Sequence, residues 1–230
     1  MATPVPPLAR LGAIGAFVGA PVLFVATYLH PMRADPNDAA AAFAEYAADR
    51  MWIASHLGQF AGILLLAIAL VAVAAVMAGA RAAAWGRIGL AGTGASVAVT
   101  AALQAVDGIA LKRMVDRWAQ ASGDAQALAF EAAYAVRQIE IGLASLTSLL
   151  FGLTIVTFAM ALLCDRGARF PTWIGWLGLV CGAGTVGAGL AQAYTGFSGL
   201  AMTISMPASI GLLVWAMVVG VFLRRLGRES

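Results

Sequence analysis

Six stretches of this chain are each long and apolar enough to cross a lipid bilayer: about residues 11–30, 53–79, 88–110, 140–163, 171–193 and 202–223. A hydrocarbon slab about 30 Å thick needs about 20 apolar residues at a helical rise of about 1.5 Å each. A segment isolated in lipid must satisfy its own backbone hydrogen bonds, so each stretch has to be a helix. The chain has 230 residues, and six spans with their turns use nearly all of them. The sequence therefore predicts an all-α polytopic membrane protein, a single six-transmembrane-helix bundle over residues 1–230 with no room for a soluble catalytic domain. Only 11% of its residues are charged, against about 25% in a soluble domain, so its partner is the lipid bilayer.

Arginine placement sets the expected orientation. With both termini cytoplasmic, Arg10, Arg81, Arg87, Arg166, Arg169, Arg224, Arg225 and Arg228 lie inside, eight against the six basic residues outside: Arg33, Arg50, Lys112, Arg113, Arg117 and Arg137. The inner loops are short, where the bias counts most, and Arg224 and Arg225 directly follow the last span. This fits a bacterial inner-membrane protein. A net charge of +3, spread over scattered arginines, excludes a nucleic-acid-binding surface. The first span reads as a retained helix, because the Tyr28-Leu29-His30-Pro31 that ends it offers no small-x-small cleavage site. Cys164 and Cys181 fall at different depths on the fourth and fifth spans and are not expected to pair.

Two amphipathic segments are expected on the outer side, at about residues 36–50 and 124–139. In the first, Asp35 suits a helix cap, Pro36 the first helical position and Asp38 the positive end of the helix dipole. The second starts near Ser122 or Asp124 and runs on into the fourth span, so its first half should stand clear of the membrane as part of a lid. An offset of 88 residues relates spans two and three to spans four and five. Gly79, Ala80, Arg81, Trp85, Gly94, Ala95, Gln104, Ala105 and Gly108 match Gly167, Ala168, Arg169, Trp173, Gly182, Ala183, Gln192, Ala193 and Gly196. Such a duplication would be a parallel hairpin repeat, unlike the inverted repeats of alternating-access transporters. Gly15 and Gly19, Gly178 and Gly182, and Ala183 and Gly187 have the four-residue spacing of close helix contacts. Those faces pack within the bundle or serve a homodimer.

Polar side chains from separate spans converge in height. Counted from the inner charges, His30 lies about 30 Å from Arg10, His56 about 37 Å from Arg81, Asp107 about 30 Å from Arg87 and Glu140 about 37 Å from Asp165. Gln192 lies about 31 Å from Pro171 and Ser205 about 28 Å from Arg224. All should therefore meet one membrane face, where Gln59, Gln104, Arg137 and Tyr194 also map. A carboxylate inside a membrane helix is costly, which makes Asp107 the sharpest functional signal. Glu140, three residues after Arg137, either forms a local ion pair with it or points inward.

His30, His56, Asp107 and Glu140 have the ligand types of a two-histidine, two-carboxylate site for zinc, iron or manganese. Without a metal, Asp107 and Glu140 would be a catalytic acid and base acting on a lipid-soluble substrate. Gln59, Gln104, Arg137, Gln192, Tyr194 and Ser205 would bind and orient a small amphipathic ligand. Two alternatives stand beside this reading: a b-type haem held by His30 and His56, and a non-catalytic scaffold whose polar layer merely seals helix ends.

The pattern His30-Pro31, Trp52-x-x-x-His56-x-x-Gln59, Val106-Asp107-Gly108, Ile139-Glu140 and Trp173-x-x-Trp176-x-Gly178 resembles a group of small bacterial six-helix integral membrane proteins known as a domain-of-unknown-function family. The resemblance spans nearly the whole chain. It implies a six-helix fold with a polar layer and carries no reaction.

Overall fold

The computed structural model describes residues 5–167 and 169–228. Its elements in chain order are α1 (Val5–Tyr28), α2 (Ala39–Ala48), α3 (Trp52–Val76), α4 (Ala80–Gln104), a π-helical stretch (Ala105–Leu111), α5 (Lys112–Gln120), α6 (Gly123–Leu163), α7 (Thr172–Thr195) and α8 (Gly199–Leu226). Among the described residues there is no strand. Six helical runs are long and apolar enough to cross a membrane, and one of them is the unbroken run Ala80–Gln120 through α4, the π stretch and α5. The protein is a multi-pass, all-α membrane bundle.

Small residues bring the helices together. A Cβ on Gly19 of α1 would lie 2.8 Å from Leu65 Cβ and 2.9 Å from the Gly62 carbonyl oxygen of α3. Gly152 and Gly182 hold α6 against α7 in the same way: a Cβ on either would come within 2.9 Å of the other's carbonyl oxygen. Gly178 makes room for the Trp215 indole of α8. The pairs Gly15 and Gly19, and Gly178 and Gly182, thus serve packing inside the bundle, where close backbone approach replaces the hydrophobic drive that lipid removes. Around them Leu66, Val73, Phe158, Ile174, Trp215 and Leu223 are buried in the main core. Some polar side chains here satisfy themselves locally: Thr93 donates to the Gly89 carbonyl at 2.9 Å and Thr100 to that of Ser96 at 2.8 Å.

The start of α1 and the end of α8 lie at one end of the bundle, where Arg10 Nε donates to the Gly227 carbonyl at 2.6 Å. The two turns at that end interlock. Asp165 Oδ1 accepts from Ala78 N at 3.0 Å, and Arg169 Nη1 donates to the Val76 carbonyl at 2.6 Å. These turns carry the first identities of the offset repeat, of which Ala168 lies outside the described residues. Cys164 and Cys181 are both free.

The opposite end carries a cap with its own small core of Phe43, Tyr46, Trp52, Leu111, Val115 and Ala133, drawn from α2, α3, the π stretch, α5 and α6. Its details differ from expectation in two ways. Helix α2 begins at Ala39, capped by Asp38, whose Oδ1 accepts from Ala41 N at 3.1 Å. Asp35 closes a turn instead, accepting from Asn37 N at 2.9 Å, because that short side chain reaches the backbone two residues on. The third span also does not stop near residue 110. It continues as α5, whose Val115 is buried in the cap. Helix α6 keeps its 41 residues unbroken, about 60 Å at the helical rise, so its first half stands above the bundle.

Candidate metal centre and its cavity

Three chain segments meet between the cap and the bundle. Helix α3 opens with Trp52, and His56 follows one turn later, so both side chains lie on one face. The Trp52 carbonyl, near the helix end, is the acceptor for His56 Nδ1 at 2.7 Å and for Ser55 Oγ at 2.8 Å. A ring nitrogen facing a carbonyl must carry the hydrogen, so His56 presents an unprotonated Nε2 in its neutral form. That atom lies 3.0 Å from Asp107 Oδ2.

Asp107 sits in the π stretch, a rare geometry found mostly at functional sites. The wide turn leaves the Asp107 carbonyl available to the Trp52 indole, which donates to it at 3.1 Å. Gly108 is required beside it. A Cβ there would come 2.6 Å from His56 Cβ and 2.9 Å from its Cγ, so a side chain would drive the two helices apart. Asp107 is therefore held at two points to α3. Lys112 does not neutralise it, because its Nζ is committed to Asp116 Oδ1 at 2.6 Å and to the Ala47 carbonyl at 3.1 Å.

His30 lies just past the end of α1, before Pro31. Its Nδ1 faces the Pro31 carbonyl at 2.8 Å, which again leaves Nε2 as the free nitrogen. The ring packs against Trp52 and His56, with centres 4.8 Å and 4.9 Å away. Burial holds the His30 pKa below its usual value, reinforced by repulsion from His56, so the imidazole stays neutral. Tyr46, which covers Trp52 from α2 at 4.3 Å between ring centres, is pushed up to about 12 by burial. It stays a neutral phenol.

One ligand atom each from His30, His56 and Asp107 lies within 4.8 Å of the other two. With metal–ligand bonds of about 2.1 Å, neighbouring ligands sit about 3.0–3.4 Å apart. The His56–Asp107 edge of 3.0 Å already fits. Closing the rest takes a shift of about 1–2 Å, which His30, outside its helix, can supply. Two imidazoles side by side on one metal have centres about 4.5–5 Å apart, and two on opposite faces of an iron about 6 Å apart. The observed 4.9 Å matches the first arrangement and falls about 1 Å short of the second.

The expected fourth ligand is not in this group. Both Glu140 oxygens accept from Arg137 Nη1, at 2.8 and 2.6 Å, which realises the local ion-pair alternative. Arg137 is held at further points. Its Nη2 donates to the Pro36 carbonyl at 3.1 Å, and its plane lies 4.8 Å from the Phe197 ring centre and 5.5 Å from that of Tyr46. Glu140 is therefore committed to Arg137 and not to the group formed by His30, His56 and Asp107.

A cavity of about 650 Å³ opens beside these groups, walled in part by His30, Asp107, Arg137 and Glu140. Gln59 and Gln104 line it too and are joined by a 3.2 Å hydrogen bond. Its roof is the segment after Pro31, pinned by Glu45, whose carboxylate accepts from Arg33 N at 3.1 Å and Ala34 N at 2.8 Å. His56 stands behind the wall, 1% exposed. Tyr194, Gln192 and Ser205 do not line the cavity. Tyr194 is 89% exposed, Gln192 is buried elsewhere on α7, and Ser205 is half-buried on α8. Height along a helix carried them into the expected set, but rotation about the helix axis turns them away. Trp52, Ser55 and Gly108 were absent from that set; the i, i+4 spacing of Trp52 and His56 was the signal that could have found the first.

No family model, curated protein or solved structure matches the chain. The chemistry of the site therefore rests on its own geometry. Two imidazoles, each with Nδ1 on a backbone carbonyl, and one carboxylate form the two-histidine, one-carboxylate donor set that binds zinc, iron or manganese and leaves coordination positions open.

Proposed function

We propose that the protein is a metal-binding protein of the bacterial inner membrane. Its termini are cytoplasmic, and its cavity faces the outer side and receives a small amphipathic ligand. His30, His56 and Asp107 hold one divalent transition metal. The observation that carries this reading is that both histidines spend Nδ1 on a backbone carbonyl, so that each keeps Nε2 for a ligand beside the same carboxylate. Without a metal, the 3.0 Å contact between His56 and Asp107 requires one shared proton, which a cation would displace on binding.

Elemental analysis of the purified protein after loading with zinc, iron(II) or manganese tests the reading. One equivalent per chain is expected for the native protein, and none for the His56→Ala/Asp107→Asn double variant or for His30→Ala. Absence of stoichiometric metal from the native protein would sink the proposal. The direct His56–Asp107 contact supports a second reading, a metal-free proton-transfer pair acting on the cavity's ligand. That outcome would show as a metal-free protein whose ligand turnover is lost in Asp107→Asn.

A further inference from the structure

We infer that the protein pairs with a second copy of itself along the outward face of α6, as a parallel two-helix seam that begins above the membrane and runs on into it.

Spacing carries the inference. Ala125, Ala132, Ile139, Leu146 and Leu153 recur every seven residues, and Leu128, Ala135, Gly142 and Leu149 fall at the other apolar position of the same heptad. All are exposed except Leu149, which is half-buried against Gly189 of α7. Leu128 is 73% exposed and Ile139 57%. The opposite face of the helix is occupied within the chain, by Ala133 in the core of the cap and Phe158 in the main core. An apolar heptad kept over about four repeats is the pattern of one helix packed along another.

The seam crosses two media. Lipid asks only that a face be apolar, and water asks that it be polar. Above the span, which begins at about residue 140, the exposed positions of α6 include Leu128, Tyr134, Ile139 and several alanines, and Glu131 carries the one exposed charge over residues 125–153. Lipid does not reach the upper half of this stripe, and a soluble partner does not follow the lower half into the membrane. The occupant is therefore a long helix that passes through both. Helix α6 of a second copy is such a helix and brings the same heptad. Two copies inserted in one orientation run parallel, related by a two-fold axis along the membrane normal.

Size and shape agree. Residues 125–153 cover about 42 Å of a helix about 10 Å across, and with the relief of its side chains such a strip buries roughly 700 Å² on each copy, close to the about 800 Å² per partner of a stable complex. Gly142 lies on the seam with nothing within 4 Å of a Cβ built on it, whereas Gly152 of the same helix uses its missing Cβ against Gly182. A glycine inside a helix costs stability, and nothing within the chain makes use of this one. At a two-helix seam it lets the backbones approach, with Ile139 and Leu146 as the neighbouring knobs.

Cysteine cross-linking of the full chain in membranes, with diamide as oxidant, tests the pairing. Ala135→Cys, on the seam, should give a disulfide-linked species of twice the chain mass. Ala127→Cys, exposed to one side of the seam, should not, nor should the native chain with Cys164 and Cys181 alone. Adding Gly142→Leu to Ala135→Cys should reduce the linked species by about tenfold or more, as filling a close helix crossing does. Its melting temperature should stay level or rise, because leucine is the better helix former and its Cβ meets no neighbour. Leu128→Glu, at an exposed site, should reduce the linked species in the same way. An Ala135→Cys chain that links no more than Ala127→Cys, an adduct of any other mass, or undiminished linking in both seam variants would overturn the inference.

Discussion

The two ends of this molecule handle buried polarity in opposite ways. In the bundle, most buried polar side chains are serine and threonine, and several return their hydrogen bond to a carbonyl one turn back on the same helix, as Thr93, Thr100 and Thr185 do, while Ser145 and the Trp215 indole donate to carbonyls of a neighbouring helix. The locally bonded groups ask nothing of their neighbours, so glycine can set how closely the helices approach. Under the cap the buried groups are ionisable, and their partners lie on other segments: His56 on Asp107, Arg137 on the Pro36 carbonyl, the Trp52 indole on the Asp107 carbonyl. That arrangement is justified only if each contact is kept or a ligand completes it, because an orphaned polar group in low dielectric is expensive. The bundle meets its polarity largely with neutral groups and nearby carbonyls, and the capped end depends on contacts between ionisable groups of separate segments.

The largest expected effect that would break this contrast is loss of metal. His56→Ala/Asp107→Asn should abolish binding, whereas Thr100→Val in the bundle should leave the metal content unchanged in the same elemental assay. Next comes Glu140→Gln, which strands the buried Arg137 charge and should lower unfolding stability by about 3–5 kcal/mol. Its metal stoichiometry should be intact; a variant that lost metal would return Glu140 to the ligand set. Gly108→Ala and Gly182→Ala form a matched pair. Both crowd a helix contact, and each should cost about 1–3 kcal/mol in denaturant or thermal unfolding. Only Gly108→Ala, through His56, should weaken metal affinity, by about 10–100-fold, as disturbing a ligand's support does.

A smaller effect follows from His30. Its folded-state pKa lies below the usual value because burial disfavours the charged form. The stability it permits is therefore complete above about pH 6.5 and falls away as pH drops through the lower folded value. Thermal melts of metal-free protein between pH 8 and pH 5 should show this decline, and His30→Ala should reduce it. The smallest effect is the stability cost of Thr100→Val, about 1 kcal/mol or less, because its hydroxyl only supplements a carbonyl already bonded within the helix.

The spans were legible because lipid leaves a chain few options, and hydropathy alone found all six, although the third helical run extends over Ala80–Gln120. Asp107 was legible for a related reason, since a carboxylate within a membrane helix is rarely idle. Glu140 shows the limit. An arginine three residues away is compatible with a pair or with two independent groups, and only packing decides. Tyr194 and Ser205 show another, because counting residues fixes depth but not azimuth. Helix α5 was overlooked although Leu111, Val115 and Trp118 have helical spacing, because the search for apolar length stops where charge begins. The glycine at position 108 gave no warning in a chain with 26 glycines.

The π-helical turn at Ala105–Leu111 has a consequence for everything beyond it. An α-helix advances about 100° per residue, so one residue wound in excess acts as a phase shifter between α4 and α5. It lets the lower part of this long rod face lipid and α6 while its upper part presents Val115 to the cap. Excising a single residue, such as Ala105, would restore an even winding and rotate α5 out of its seat. The six spans would remain assembled, with the hood over His30, His56 and Asp107 unlatched.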